Sequence, residues 1–185
     1  MSKRDQIIET TCELMEMQGY HATGINQILD ESGAPKGSLY SYFPEGKEGL
    51  AVEAIERSSR AISERIRGVM AESSDAASGV QAFFERLAGL VEASDYRHGG
   101  PITAIALEAA STNERLREAC RDAYRRWQNA FGEKLRQELG DAQAQMLAAM
   151  VVSTLEGAII LSRSERSVKP LRDGGEALAR LIRCY

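Results

Sequence analysis

A short run of hydroxyl-bearing side chains beside a single cation is the part of this sequence whose residue types point most directly to chemistry. Between Ser32 and Pro44 there is one charged residue, Lys36, and no acid. Hydroxyls can contact phosphate oxygens and base edges, and small residues let a backbone approach a nucleic acid closely. The residues with these properties are Gly37, Ser38, Tyr40, Ser41 and Tyr42. The pattern indicates contact with DNA.

Two short helices joined by a tight turn are predicted to position these side chains. Thr23 is expected to cap the first helix, because its hydroxyl can accept a hydrogen bond from a backbone N–H that has no partner in the helix. Gly33 suits the left-handed conformation that ends a helix, and Pro35 suits the first turn of the next. The second helix is predicted over 36–43, and Pro44 ends it. This layout is a helix-turn-helix, whose second helix can enter a DNA major groove.

The second helix must also be held to its own domain. Leu39 and Phe43 lie four residues apart, so they fall on one face and are expected to anchor the helix. Tyr40 and Tyr42 could be core aromatics, but residues two apart cannot both face one core. We therefore favour DNA contact for the two tyrosines. Lys47 is expected near the start of the following helix, where backbone N–H groups and the helix dipole favour a phosphate.

This region resembles the N-terminal domain of the TetR family of bacterial transcriptional regulators. The matching segments are Ala-Thr-Gly-Ile at 22–25, residues 33–43 and Lys-Glu-Gly-Leu at 47–50. A first helix over residues 4–18, ended by Gly19 and Tyr20, also fits the family. The spacing from Phe43 to Lys47 is one residue longer than in the commonest family pattern, and in this it is similar to the LmrA/YxaF-like subgroup. Later segments are compatible with that subgroup: Gly100-Pro101-Ile102, Ala106-Leu107-Glu108, Leu155-Glu156-Gly157 and Arg163.

The resemblance implies both a mode of DNA binding and a mode of control. It implies phosphate contacts from Thr23, Tyr42 and Lys47, a two-fold dimer, and a small-molecule pocket in the C-terminal domain. The implied function is a repressor that a small apolar or aromatic ligand releases from a pseudo-palindromic operator. The full set of expected DNA-contacting residues is Thr23, Gly24, Lys36, Gly37, Ser38, Leu39, Tyr40, Ser41, Tyr42, Phe43 and Lys47.

Composition and periodicity predict an all-α fold. The chain has 185 residues and only four prolines, and it shows no alternation of β-branched residues. We expect a helix-turn-helix DNA-binding domain over 1–46, formed by three helices, and a ligand-binding and dimerisation domain over 47–185. About nine helices are predicted in all. After Gly46, one long helix is expected to end near residue 72. Further helices are expected over about 76–93, 102–111, 112–139, 142–164 and 170–183.

Net charge argues against DNA binding at first sight. Residues 1–50 hold four basic and eight acidic side chains, while residues 51–185 hold 19 of each. Nucleic-acid-binding domains usually carry a basic patch. Because the acids avoid the second helix of the helix-turn-helix, we expect modest non-specific affinity and a strong dependence of operator binding on dimerisation.

Aromatic residues in the second half of the chain have two interpretations. At helical spacing they are either plain core or the lining of a ligand cavity. The two carboxylates within apolar sequence, Glu108 and Glu156, either pair with arginines or face a cationic ligand, because a buried carboxylate is costly without a partner. The expected ligand-binding residues are Phe83, Phe84, Leu87, Glu108, Tyr124, Trp127 and Phe131.

One long helix, over about 142–164, is apolar nearly all round, so it must be covered on both sides. Its own domain supplies one cover, and a second subunit is the expected other. The last helix carries a further leucine stripe, and Gly174-Gly175 in it permits close approach or a kink. The expected dimer-interface residues are Met150, Ser153, Leu155, Gly157, Ile160, Leu161, Leu178, Leu181 and Ile182.

Other classes of protein receive little support. The N-terminus lacks the apolar segment of a secretory signal, and the longest apolar stretch, 146–161, is shorter than the roughly 20 residues of a membrane span. We expect a cytoplasmic protein with no membrane contact, cofactor or metal. The three cysteines are expected to be free thiols, with metal binding or redox sensing as the alternative. No catalytic motif supports an enzyme, and the remaining alternative is a helical ligand-carrier or interaction protein with a structural helix-turn-helix.

Overall fold

The computed structural model describes residues 2–35 and 37–185, and within them the chain forms nine α-helices and no β-strand. The all-α prediction is confirmed. The predicted Lys36 contact lies outside the described residues. The helices are α1 (Lys3–Ala22), α2 (Ile25–Ser32), α3 (Ser38–Tyr42), α4 (Gly46–Glu72), α5 (Ala76–Ala93), α6 (Thr103–Ala109), α7 (Glu114–Leu139), α8 (Asp141–Glu165) and α9 (Lys169–Ile182).

The helices assemble into two compact units. The first unit comprises Met1–Ser59 and Gly100–Ala123, and the second comprises Arg60–Gly99 and Tyr124–Tyr185. Two long helices, α4 and α7, therefore contribute to both. The first unit draws on more of the chain than residues 1–46, because α6 and the start of α7 belong to it.

The first unit is built on one apolar cluster shared by α1, α2, α3 and the start of α4. Leu39 is fully buried and Phe43 is 2% exposed, so both anchor α3 as predicted. Burial of such a side chain contributes about 1.5–3 kcal/mol. The other buried members are Ile7, Ile8, Leu14, Ile28, Leu29, Ala34 and Leu50.

The turn between α2 and α3 follows the predicted backbone. Gly33 has φ 61° and ψ 27°, and its N–H donates to the carbonyls of the last turn of α2. The N–H of Ser38 donates to the carbonyl of Pro35 over 2.9 Å. α3 is shorter than the predicted helix over 36–43 and ends before Phe43, whose φ of −131° leaves the helical region. Gly46, with φ 64°, starts α4.

The expected cap at Thr23 is wrong. Gly24 is the N-cap of α2 and provides no side-chain cap. The Thr23 hydroxyl instead donates to the carbonyl of Gly19 over 2.6 Å, and the residue is fully buried. Threonine hydroxyls often bond the carbonyl four residues before, and this bond leaves Thr23 facing away from α2. Gly19, at φ 84° and ψ 177°, interrupts α1 where the sequence predicts its end.

The second unit has a close helix contact at Phe84 of α5. A Cβ built on Gly175 of α9 would lie 2.6 Å from the Cβ of Phe84, so α9 can approach α5 only because residue 175 is glycine. At Gly174 a Cβ would lie 3.1 Å from Thr154 of α8. Of the two sequence interpretations of Gly174-Gly175, close approach is therefore the one observed.

α8 also packs within the second unit. Among the described helices it is the one with the length and apolar composition to cross a membrane, and 44% of that apolar window is buried inside the protein. Core helices of water-soluble proteins share these properties, and α8 packs against α9. Length and composition alone are therefore weak evidence for a membrane span.

Replacing Gly175 by alanine is expected to lower the free energy of unfolding by about 1–3 kcal/mol, because the new methyl overlaps Phe84. Gly89→Ala is the matched control, since Gly89 lies in α5 with open space where its Cβ would be. Alanine favours a helix over glycine by up to about 1 kcal/mol, so the control should be unchanged or stabilised. Urea unfolding at one protein concentration measures both variants. Wild-type stability of Gly175→Ala would contradict the packing.

Candidate nucleic-acid interface

α3 presents two opposite faces. Leu39 and Phe43 point into the core, while Tyr40 and Tyr42 are 60% and 42% exposed. Two exposed tyrosines next to each other on one turn of helix make this turn a candidate surface for a partner. The exposed members of the predicted DNA-contacting set are Gly24, Gly37, Tyr40, Ser41 and Tyr42.

Four members of that set occupy other positions than predicted. Leu39 and Phe43 are core residues, and their side chains support the helix rather than contact DNA. Thr23 is buried, so its hydroxyl does not reach a phosphate in this conformation. Ser38 is half-buried, and its hydroxyl donates to the carbonyl of Pro35 over 2.6 Å. The sequence supplies the hydroxyls but not the backbone groups that compete for them.

Lys47 lies at the start of α4 beside the end of α1. Its Nζ is 4.4 Å from the centre of the Tyr20 ring and donates to the carbonyl of His21 over 3.4 Å. Partial burial lowers the pKa of Lys47, and the nearby Glu108 carboxylate acts in the opposite direction. Sequence reasoning missed Tyr20 and His21 as neighbours of this cation. The sequence predicts a helix end at Gly19-Tyr20, but no local pattern links Tyr20 or His21 to Lys47.

The acids nearest Lys47 in sequence are paired. Glu45 and Glu48 both form ion pairs with Arg115 of α7, and Asn113 donates to Glu48. Arg57 likewise pairs with two acids of α1. These exposed ion pairs are individually weak. Each of them nevertheless places a positive charge beside acids that belong to the acidic excess of residues 1–50. Since both arginines lie beyond residue 50, a charge count over residues 1–50 misses them.

The predicted ligand-binding aromatics come together in the second unit. Phe83 and Phe131 meet edge to face with ring centres 5.3 Å apart, and so do Tyr124 and Trp127 at 5.4 Å. Trp127 is 2% exposed. Phe84, also predicted, is buried against α9, and Leu87 is half-buried in α5. The contacts are those of a packed aromatic core.

Each of the two carboxylates accepts a hydrogen bond from a donor that is not an arginine. Glu108 belongs to the first unit, where its Oε2 accepts the N–H of His21 over 2.8 Å. Its role as a ligand-binding residue stays a prediction. Glu156 accepts a hydrogen bond from the hydroxyl of Tyr124 over 3.2 Å. Backbone N–H and tyrosine donors satisfy carboxylates as arginines do, and spacing in the sequence cannot tell them apart.

The predicted dimer residues divide by exposure. Leu155, Leu178 and Ile182 are 2–3% exposed and belong to the core of their own chain, so their place at an interface stays a prediction without support from their exposure. Leu181 is half-buried. When a helix is apolar on every side, its sequence does not show which side packs against its own domain. The predicted interface residues that are exposed all lie on α8: Met150, Ser153, Gly157, Ile160 and Leu161. Met146, which is absent from the prediction, is also exposed and continues their row.

The cysteines lie in three different environments. Cys12 is half-buried, and burial raises the pKa of its thiol. Cys120 is buried and Cys184 is exposed, and the described chain contains no disulfide. No group of three or more histidine, cysteine or acidic side chains able to hold a metal ion occurs among residues 2–35 and 37–185.

Comparison with known proteins adds independent evidence. Residues 7–54 match the family model of the bacterial regulatory proteins of the tetR family, and residues 76–177 match that of the LmrA/YxaF-like C-terminal domain of transcriptional regulators. The HTH-type transcriptional regulator LmrA of Bacillus subtilis is 40% identical over 169 residues, 91% of this chain and 90% of that protein. The uncharacterized regulator YxaF of the same organism is 38% identical over 181 residues, 97% and 95% of the two chains.

The fold is shared with solved structures. A cysteine mutant of CifR, a TetR family transcriptional regulator, was crystallised with a 26-bp double-strand operator DNA. It aligns with a TM-score of 0.82 at 19% identity, over 95% of this chain and 94% of that one.

An exposed α3 on a buried anchor, within the all-α fold of the described residues, and the match of residues 7–54 to the tetR family define a helix-turn-helix transcriptional regulator that binds DNA. The chain belongs to the TetR family, and its C-terminal region is of the LmrA/YxaF-like kind. Its relatives and matched domains are regulators rather than enzymes. Regulators of this family are generally cytoplasmic.

Proposed function

We propose that this protein is a dimeric repressor that binds a pseudo-palindromic operator through α3 and leaves it when a small apolar or aromatic ligand binds in the second unit. It acts in the cytoplasm, where the DNA is. The observation that carries the proposal is the division of α3 and its C-cap into a buried anchor, Leu39 and Phe43, and an exposed acid-free face with Tyr40 and Tyr42. A structural helix-turn-helix in a carrier protein would have no need of two exposed tyrosines.

The DNA face consists of α3, Gly24 and Lys47. Tyr42 and Lys47 contact phosphates, while Ser41 and Tyr40 face base edges in the major groove. Gly37 is exposed and has open space where a Cβ would be, so a phosphate or base can approach its backbone. Because phosphate contacts carry no sequence information, the two groups of residues have separable effects on binding.

Replacing Lys47 by alanine is expected to weaken DNA binding on all sequences and to lower the slope of log affinity against log salt by about one. Tyr42→Phe keeps the ring and removes the hydroxyl, so it should weaken binding by less than Tyr42→Ala. Fluorescence anisotropy with a duplex selected by the protein from random DNA measures both effects. Tyr185→Phe, an exposed tyrosine in the second unit, is the matched control. Wild-type affinity of the Tyr42→Ala/Lys47→Ala double variant would refute the proposed face.

The dimer forms through the exposed face of α8. Met146, Met150, Ser153, Gly157 and Ile160 recur at spacings of four and three, which places them along one side of the helix. Met146, Met150, Ile160 and Leu161 are 45–53% exposed, an apolar row on the surface of one chain. A two-fold axis across this row pairs it with itself and gives the operator its symmetry.

Ile160→Arg is expected to give monomers, since it places a charge in a self-complementary apolar row. Leu90→Arg is the matched control: Leu90 is 53% exposed and belongs to α5, outside the α8 row, so its replacement should leave the dimer intact. Sedimentation velocity at micromolar concentration distinguishes the two states. A monomeric wild type, or a dimeric Ile160→Arg protein, would contradict the proposed interface.

Ligand control acts through the aromatic group of the second unit. A planar apolar ligand that separates the edge-to-face pairs at Phe83–Phe131 and Tyr124–Trp127 perturbs α5 and α7. α4, which links the units, begins at the DNA face, and half-sites on one DNA face are about 34–36 Å apart. A shift of a few ångströms at its start therefore misplaces one reading helix.

Any such ligand should weaken operator binding by the factor by which operator weakens ligand binding, typically about 5–150-fold. Trp127, the single tryptophan, reports binding by its fluorescence during titration with planar aromatic compounds. Operator affinity is then measured with each binder at saturation. Unchanged operator affinity with every compound that alters Trp127 fluorescence would show that the protein is controlled in another way.

A further inference from the structure

A carboxylate from α6 fills a notch at the end of α1. Oε2 of Glu108 accepts the N–H of His21 over 2.8 Å. A Cβ built on Gly19 would lie 1.9 Å from Oε1 of the same carboxylate. The side chain thus occupies the space that any residue larger than glycine at position 19 would take. Glu108 and His21 are 87 residues apart in sequence and belong to the same compact unit.

Two side chains fix the backbone around this notch, one at the carbonyl of Gly19 and one at the N–H of His21. Gly19 has φ 84°, which leaves the groups that follow it outside the regular helix ladder. The Thr23 hydroxyl donates to the carbonyl of Gly19, and the Glu108 carboxylate accepts the N–H of His21. A hydrogen bond from a backbone N–H to an ionised carboxylate is stronger than one between neutral groups.

The segment held by Glu108 is the one that holds Lys47. The carbonyl of His21 accepts a hydrogen bond from Nζ of Lys47, and the ring of Tyr20 lies 4.4 Å below the same ammonium. Tyr20 and His21 also meet edge to face, with ring centres 5.3 Å apart. A chain of direct contacts therefore runs from Glu108 through Tyr20-His21 to Lys47. The charge of Glu108 also favours the ammonium form of Lys47, against the burial that lowers its pKa.

We propose that Glu108 is a positioning residue for DNA binding, which fixes the Tyr20-His21 segment and thereby places the Lys47 ammonium for a phosphate. The inference rests on the proposed contact of Lys47 with DNA. It assigns the role to the acceptor oxygen in the Gly19 notch. A glutamine at position 108 keeps such an oxygen and can substitute for the carboxylate, whereas alanine cannot.

The test is a double-mutant cycle on operator affinity, read by fluorescence anisotropy at several salt concentrations with a duplex selected by the wild-type protein. Glu108→Ala should weaken binding by about tenfold, the worth of one charge-assisted hydrogen bond, and should lower the salt slope toward that of Lys47→Ala. Glu108→Gln should stay within about threefold of the wild type. Leu107→Ala, at a neighbouring residue that is 75% exposed, should bind like the wild type.

The cycle separates a role through Lys47 from general support of the fold. If Glu108 acts through Lys47, Glu108→Ala adds nothing to Lys47→Ala, since contacting groups are not additive. Additive effects, or a Glu108→Ala protein that keeps both the wild-type affinity and the wild-type salt slope, would overturn the inference. Wild-type binding by Lys47→Ala would overturn it together with the proposed DNA face. If circular dichroism shows that Glu108→Ala does not fold, the cycle is run with Glu108→Asp, which is one methylene too short for the notch, under the same criteria.

Discussion

The DNA face of this protein depends on the burial of two side chains, Leu39 and Phe43. α3 has five residues, and an isolated helix of that length is unstable in water because nucleation is unfavourable. Its apolar pair packs into the cluster formed by α1, α2 and the start of α4, which supplies the stability that the helix lacks. Once Leu39 and Phe43 face inward, Tyr40, Ser41 and Tyr42 must face solvent. The proposed DNA-binding surface is thus a consequence of the core beneath it.

The first unit is completed by residues far along the chain. Glu108 of α6 holds the end of α1, while Arg115 and Asn113 hold Glu45 and Glu48 at the start of α4. Both attachments flank Lys47. α6 and the start of α7 are therefore structural parts of the first unit, and Glu108 of α6 is two hydrogen bonds from Lys47, the proposed phosphate contact. The sequence boundary at residue 46 separates residues that the fold joins.

Local signals in the sequence were sufficient for the helices but not for the contacts between them. Asp75 caps α5, and the prediction of 76–93 matches Ala76–Ala93, because caps and apolar periodicity are local. The same holds for the left-handed Gly33. The roles of Thr23 and Glu108 depend on which distant or competing backbone group is nearest, and no local pattern encodes that. α8 is apolar on every side, so the sequence alone does not show that Leu155 faces the core of its own chain while Ile160 is exposed.

The most direct test of the account is a structure of the protein bound to a duplex that it selects from random DNA. The account predicts α3 in the major groove, with Tyr40 and Ser41 at base edges, Tyr42 and Lys47 at phosphates, and Leu39 and Phe43 still buried in the core. A complex in which DNA lies on another surface while Tyr40 and Tyr42 remain in solvent would contradict it.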